Sequence, residues 1–316
     1  MNDKNALPPS LVESIAGFSA GVFSTLVVHP LDIIKTRLQV DRFSSSRVGS
    51  SVRVAQGILR NEGGIPALYR GLTPNLVGNS VSWGLYFLWY GKIKEVLHSW
   101  QSSREGNGKG GSHLSSLDFF IASGTAGALT ALLTNPIWVI KTRMLSTGRN
   151  APGAYPSLVA GIRQIYVTEG VGGFYRGLVP ALFGVSHGAL QFMAYEQLKR
   201  YRQAHGPSLT ITDASTTTEG QRELGNLDYL LLSSLSKVFA GCVTYPYQVL
   251  RARLQTYDAA GTYRGVTDAI RQIWRTEGMA GFYKGLGPGM VRVLPSTWVT
   301  FLVYENTRIL LRRDRG

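Results

Sequence analysis

The chain has 316 residues, a formal charge of +14, 44% hydrophobic residues and a mean hydropathy of +0.01. Its one cysteine, Cys242, excludes a disulfide framework and any cysteine cluster for a metal. No zinc-finger spacing, aromatic RNA-binding signature or basic zipper accompanies the charge, which excludes a nucleic-acid binder and leaves anionic lipids or anionic solutes as its counterpart.

The lead MNDKNALPPS is polar, without a basic region ahead of an apolar core and without an arginine-rich presequence, so targeting information is expected to be internal. Leu11 to about Val40 reads as a long helix, broken or kinked at Pro30 because proline removes a backbone donor; Gly17 and Gly21 give it a small-residue face. After a polar loop from Arg42 to Ser51, Val52, Ala55, Ile58 and Leu59 form the apolar stripe of a short interfacial helix. Glu62 to Gly71 turns the chain back into a second long helix, Leu72 to about His98. The linker Gln101 to Ser112 contains GNGKGGS, which lacks the order of a phosphate loop and reads as flexible.

The same plan then recurs twice. A helix from about Leu114 to Leu145 carries Gly124, Gly127 and Pro136; Leu158, Ile162 and Ile165 give a stripe; and a return helix covers about Leu178 to Tyr201. After a Ser/Thr-rich linker, His205 to Glu223, come a helix from about Asn226 to Gln255, the stripe Val266, Ala269, Ile270 and Ile273, and a last helix from about Pro288 to Leu311. Six such helices are long enough to span a bilayer even when tilted, since about 20 residues suffice. The three repeated loops carry 7, 5 and 6 Lys and Arg over residues 35–70, 141–176 and 251–284, which puts them together on the more positive side.

The recurrence is explicit in the residues. VVHPLDIIKTR (Val27 to Arg37), LTNPIWVIKTR (Leu133 to Arg143) and VTYPYQVLRAR (Val243 to Arg253) place Pro30, Pro136 and Pro246 at intervals of 106 and 110 residues. Each is followed 31 to 33 residues later by an acidic-Gly pair and an aromatic-basic-Gly triplet, as in EGVGGFYRG from Glu169. Two ordered motifs at one period mean three tandem repeats, with boundaries 11–100, 114–203 and 226–311.

Charges on an apolar helix face a cavity or a partner by default. Asp32 and Lys35 share a face, and the matching pairs are Trp138/Lys141 and Gln248/Arg251, so a ring of three helices holds one carboxylate. The spacing predicts an ion pair from Asp32 to Lys141, a hydrogen bond from Lys35 to Gln248 and the ring face of Trp138 offered to Arg251. At the far ends of the return helices, Tyr195-Glu196-x-x-Lys199 and Tyr304-Glu305-x-x-Arg308 are intact, whereas Tyr90-Gly91-x-x-Lys94 lacks the acid. That second ring is expected to pair Glu196 with Arg308 and Glu305 with Lys94. Two weak rings suit an alternating barrier, because neither closed state is too stable to leave.

With PLDIIKTR meeting P-x-[DE]-x-x-[KR]-x-[KR] in full, and PIWVIKTR and PYQVLRAR departing from it only at the acid, the chain resembles the mitochondrial carrier family over residues 11 to 310. The resemblance implies an all-α membrane protein of six tilted transmembrane helices in three pseudo-symmetric two-helix repeats, with short interfacial helices on the matrix side. It implies a multi-pass protein of the inner mitochondrial membrane with its termini toward the intermembrane space, working as a monomer among phospholipids such as cardiolipin. It further implies a matrix gate of Asp32, Lys35, Trp138, Lys141, Gln248 and Arg251. The implied cytoplasmic gate comprises Lys94, Glu196, Lys199, Glu305 and Arg308, braced by Tyr90, Tyr195 and Tyr304.

PNLVGNSVSWGLYFLWYGKIK, SHGALQFMAYE, TYPYQVLRARLQ and the tryptophan of PIWVIKTR are similar to the flavin/folate branch. The branch implies transport of FAD, with folate, NAD or a pyrimidine nucleotide as alternatives; FAD is then substrate and not cofactor, and no metal is implied. Thirteen residues before Gly91, Glu196 and Glu305 stand Gly78, Phe183 and Arg292, the level at which the family contacts substrate. The expected site is Gly78, Asn79, Phe183, Gly184 and Arg292, with Arg292 clamping an anionic group bidentately. Gly78 and Gly184 are expected to leave room, while Phe183 and Trp83 stack on a planar ring. Lys237 falls on one helical face with Gln248 and Arg251, and His187 lies one turn beyond Phe183, so both join the expected lining, as does Arg251. No nucleophile–base pair stands out, and a carrier, not an enzyme, is expected.

Overall fold

The computed structural model describes residues 9–43, 49–105, 116–148, 151, 153–205 and 226–313, and every regular element among them is helical. The sequence readings over residues 1–8 and the central parts of the two long linkers lie outside these residues. The first two spans are α1 (Pro9–Val40) and α3 (Leu72–Glu105), joined by the amphipathic α2 (Ser50–Asn61). Repeat two has α4 (Ser116–Ser146), α5 (Leu158–Phe174), α6 (Leu178–Phe183) and α7 (Ser186–His205). Repeat three has α8 (Asn226–Val243), α9 (Tyr245–Leu254), α10 (Ala259–Thr262), α11 (Val266–Gly281), α12 (Leu286–Val291) and α13 (Val293–Arg313). Two elements go beyond the sequence reading: the four-residue α10 and a 3-10 helix, Ile65–Tyr69.

The prolines do not behave alike. Pro30 and Pro136 sit inside unbroken helices, where each leaves the carbonyl four residues back without its helical donor. In the third copy the helix stops at Thr244, and Pro246 begins the next one in its first turn. The second and third return helices break instead, against the expectation of continuous spans, while the first, α3, runs unbroken as expected. Pro295 supplies no N–H for Val291, and the helix parts there, between α12 and α13. Between α6 and α7, the Ser186 hydroxyl donates to the Phe183 carbonyl at 2.7 Å, satisfying a group that the interruption frees.

At the loop end three small cores form between the end of an odd span and its interfacial helix, the first of them also taking in Leu145 of repeat two. Ile33, Ile34 and Leu38 meet Ile58; Val139, Ile140 and Met144 meet Ile165; Leu250 and Leu254 meet Ala269 and Ile273. Full burial of one such isoleucine is worth about 1.5–3 kcal/mol. The aromatic-basic-Gly triplets then start the return helices. Gly177 (φ +70°) and Gly285 (φ +80°) adopt a left-handed turn, and an added Cβ would strike the neighbouring repeat: 3.1 Å from the Arg251 carbonyl and 2.8 Å from that of Lys35.

The spans close into a ring. α1 packs on α3, α3 on α4, α4 on α6, α7 on α8, α8 on α13, and α13 back on α1. Among the described residues, two helices, Val12–Val40 and Leu117–Ser146, are long and apolar enough to cross a membrane by length and composition, and the bent pair Leu158–Phe174 with Leu178–Gln203 passes as one broken span. The second return helix and the third-repeat spans are interrupted, and α3 is continuous but less apolar on average.

Candidate functional site

Six sequence-selected side chains of the odd spans gather at the loop end. Lys35 Nζ donates to Gln248 Oε1 at 2.9 Å. Lys141 Nζ lies 4.8 Å from the ring centroid of Trp138, and the Arg251 guanidinium carbon lies 5.7 Å from the same centroid, so one indole serves two cations. Trp138 is held in place by its Nε1–H, which donates to Thr134 Oγ1 at 3.2 Å. The carboxylate goes elsewhere than expected. Asp32 forms its ion pair with Arg292 of the sixth span, not with Lys141. The reason is reach: the break between α12 and α13 puts Arg292 beside α1, while Lys141 rests on Trp138.

The expected substrate residues divide into three groups. Arg292, Lys237 and His187 share one electrostatic environment on the third-repeat side, where His187 Nδ1 and Thr244 Oγ1 are 2.8 Å apart. Lys237 is accessible to solvent yet within electrostatic range of Arg292, as a side chain in a water-filled interior would be. Asn79 donates to Asn75 Oδ1 at 3.3 Å, and buried Asn75 in turn contacts His29, whose other ring nitrogen is 3.0 Å from the Arg70 carbonyl. The aromatic pair is not assembled: Trp83 stacks on Phe87 of its own helix at 5.7 Å, and Phe183 is 62% exposed.

The two glycines do not leave room. A Cβ on Gly78 would lie 3.2 Å from Ile137 and 3.5 Å from the Trp138 ring, so the gap is already filled by α4. A Cβ on Gly184 would lie 2.8 Å from the Ala181 carbonyl, and that glycine therefore serves the α6/α7 break.

The second ring is open. Arg308 approaches Glu305 of its own helix at 3.8 Å, and Lys94 lies over Tyr90 and Phe119 at 5.3 Å each. Among the described residues, no ion pair joins Glu196 to Arg308 or Glu305 to Lys94. Tyr195, Lys199 and Tyr304 stand half-buried at the same level. The pairing expected from spacing is therefore not formed here; Arg308 and Lys94 are instead engaged by their own helix or by Phe119 of α4.

A third set of charged residues was present in both recurring motifs without being paired by the sequence reading. Arg37, Arg143 and Arg253 each bind the glutamate of their own repeat, Glu62, Glu169 and Glu277, through both terminal nitrogens. The sequence separations of 25, 26 and 24 residues were the available signal. Each arginine also caps the next repeat: Arg37 donates to the Leu145 carbonyl, Arg143 to Gln255 and Arg253 to Gln39, at 2.9–3.2 Å. Cations at helix C-termini satisfy orphan carbonyls and favour the helix dipole. Arg176 and Lys284 add second ion pairs to Glu169 and Glu277 at 2.8 and 2.6 Å. Burial raises the pKa of both glutamates, but these hydrogen bonds and charges outweigh it and hold them below the usual range. Among the described residues, no three His, Cys, Asp or Glu side chains gather where a metal would sit.

The sequence pattern of the family described as "Mitochondrial carrier protein" matches residues 8–100, 112–206 and 222–315. Among similar proteins, the "Mitochondrial FAD carrier protein FLX1" of Saccharomyces cerevisiae is 39% identical, over 95% of this chain and 97% of its own length. The "Nicotinamide adenine dinucleotide transporter 2, mitochondrial" of Arabidopsis thaliana is 38% identical over 92% of this chain and 77% of its own. The "Folate transporter 1, chloroplastic" of the same plant is 36% identical over 94% of each.

Proposed function

Because the chain belongs to the mitochondrial carrier family, we propose that it transports FAD across the mitochondrial inner membrane by alternating access. It is a transporter and not an enzyme, in a mitochondrial membrane. The observation that carries the transport reading is the asymmetry of the two rings. One end is tied by Lys35–Gln248, Asp32–Arg292 and the Trp138 cation stack, while at the other the expected ion pairs Glu196–Arg308 and Glu305–Lys94 are not formed. That is one of the two conformations an alternating-access protein needs. The loop-end ring is the matrix gate in this reading, and the ring of Lys94, Glu196, Lys199, Glu305 and Arg308 the cytoplasmic gate. Repeats 11–100, 114–203 and 226–311 are the moving units, and the termini face the intermembrane space.

FAD is favoured by the yeast relative and by the chemistry of the interior, where Arg292 and Lys237 meet an anionic group and Asn79 can hydrogen-bond a ring edge. The Arabidopsis relatives make NAD and folate the second reading, each an anionic molecule with planar rings. The protein works as a monomer, and its charge of +14 supports contact with anionic phospholipid such as cardiolipin. Purified protein in liposomes decides the substrate: uptake of FAD, FMN, riboflavin, reduced folate, NAD and pyrimidine nucleotides is compared. Uptake of FAD, abolished by Arg292→Ala, is expected. A protein that moves folate and leaves FAD outside would overturn the FAD reading.

A further inference from the structure

Asp32 is the only carboxylate of the loop-end ring, since Trp138 and Gln248 stand at the other two acidic positions. It is buried, 7% exposed, and is bound by Arg292, whose side chain keeps 37% of its surface open. The remaining ring cations have uncharged partners: Lys35 has Gln248, and Lys141 and Arg251 share Trp138. So the guanidinium placed to clamp a solute anion already holds an anion, one that belongs to the gate.

The pair also joins repeat one to repeat three. Opening the loop end requires those repeats to separate, which breaks it. A solute phosphate or carboxylate arriving from the open end meets the exposed face of Arg292 and offers the same charge-assisted bond. We propose that Asp32 is a built-in competitor for the solute anion at Arg292, so that binding itself unfastens the loop-end ring. This rests on the transport reading above. Displaced Asp32 is not left stranded, because Lys35 is one helical turn away on the same span and already acts on it electrostatically. If Lys35 turns toward Asp32 it leaves Gln248, and the second bond between repeats one and three in this ring goes with it. Solute binding then supplies the differential affinity that any conformational shift requires.

The test separates competition from gating. Asp32→Asn keeps the shape and removes the charge. FAD binding to the purified carrier, measured by equilibrium titration, is expected to tighten by about tenfold, a typical coupling between two sites. In an Arg292→Ala background the same substitution is expected to change nothing. Weaker or unchanged FAD binding to Asp32→Asn, or equal tightening without Arg292, would overturn the proposal. Gating is read without FAD, in liposomes, from an impermeant maleimide applied at the loop side to Lys237→Cys in a Cys242→Ser background. Asp32→Asn and Arg292→Gln are each expected to raise labelling several-fold, and no rise in either would also overturn it. Failure of the wild-type protein to bind FAD would refute the substrate reading, while the labelling would still decide whether Asp32 and Arg292 close the ring.

Discussion

Gly78 packs directly against Trp138, with its Cα so close that an added methyl would lie 3.5 Å from the indole and 3.2 Å from Ile137. This contact presses the second span onto the tryptophan that holds Lys141 and Arg251. Gly78→Val is therefore expected to splay α3 from α4 and cost about 1–3 kcal/mol by overpacking. Thermal unfolding in detergent would read the loss as a lower Tm. A Tm equal to that of the wild-type protein would mean the helices part freely here.

Trp138→Asp tests the same ring from the other side. It places a carboxylate between Lys141 and Arg251, where the indole face now sits. A second direct ion pair, with Arg251, is expected to tighten loop-end closure by up to a few kcal/mol, less the desolvation of the new charge. Slower FAD turnover, with cavity cysteines better protected from reagent at the loop side, is the expected result. Turnover and labelling unchanged at both faces would remove Trp138 from the gate.

The glutamate locks differ in depth, and so should their mutants. Glu277 serves Arg253 and Lys284, whose side chains are 1% and 7% exposed, whereas Glu62 and Arg37 keep 18% and 14%. Glu277→Gln leaves two buried cations without a carboxylate and is expected to cost about 3–5 kcal/mol; Glu62→Gln should cost clearly less. Chemical denaturation of the two variants gives the ranking directly, and an equal loss would contradict it.

The same locks set an acid limit. Glu169 and Glu277 are held below the ordinary glutamate pKa of about 4.3 in the folded protein. Their contribution to stability is thus complete above that value and is lost as the pH falls through the depressed folded values. Unfolding midpoints measured from pH 7 down to pH 3 should be flat at first and then fall, with Glu277→Gln showing a smaller fall than wild type.

What could be seen in the residues was whatever repeats. The three-fold motif gave the spans, the interfacial helices and the ring partners Lys35 and Gln248, because side chains at one register of three equivalent helices must meet around an axis. Where the chain departs from threefold repetition, register alone does not identify the contacts. The positions matching Arg292 in the first two repeats are the uncharged Gly78 and Phe183, and Arg292 stands on a return helix, so comparing registers of the odd spans could not bring it to Asp32. The break at Thr244 precedes Pro246, whose equivalents Pro30 and Pro136 are absorbed into intact helices, and the break at Arg292 precedes Pro295, whose matching positions in the other return helices are Val81 and Ser186. Gly78 looked like empty space because its occupant, Trp138, comes from another repeat.

Lys237 offers the sharpest view of the substrate. It is accessible, lies within electrostatic range of Arg292, and occupies a position that is glycine in the other two repeats, Gly21 and Gly127. A lysine is a compact point charge without the planar fork of arginine, so its part is attraction of phosphate and not orientation of the ring. Lys237→Ala is expected to raise the KM for FAD and FMN by several-fold, in keeping with the loss of one charge-assisted contact of about 1.5–3 kcal/mol partly screened by cavity water. Riboflavin, which carries no phosphate, should be moved as poorly or as well as before. The effect on FAD should shrink as salt is raised, because the interaction is a screened charge. A loss shared equally by FAD and riboflavin would mean that Lys237 supports the helix and does not meet the substrate.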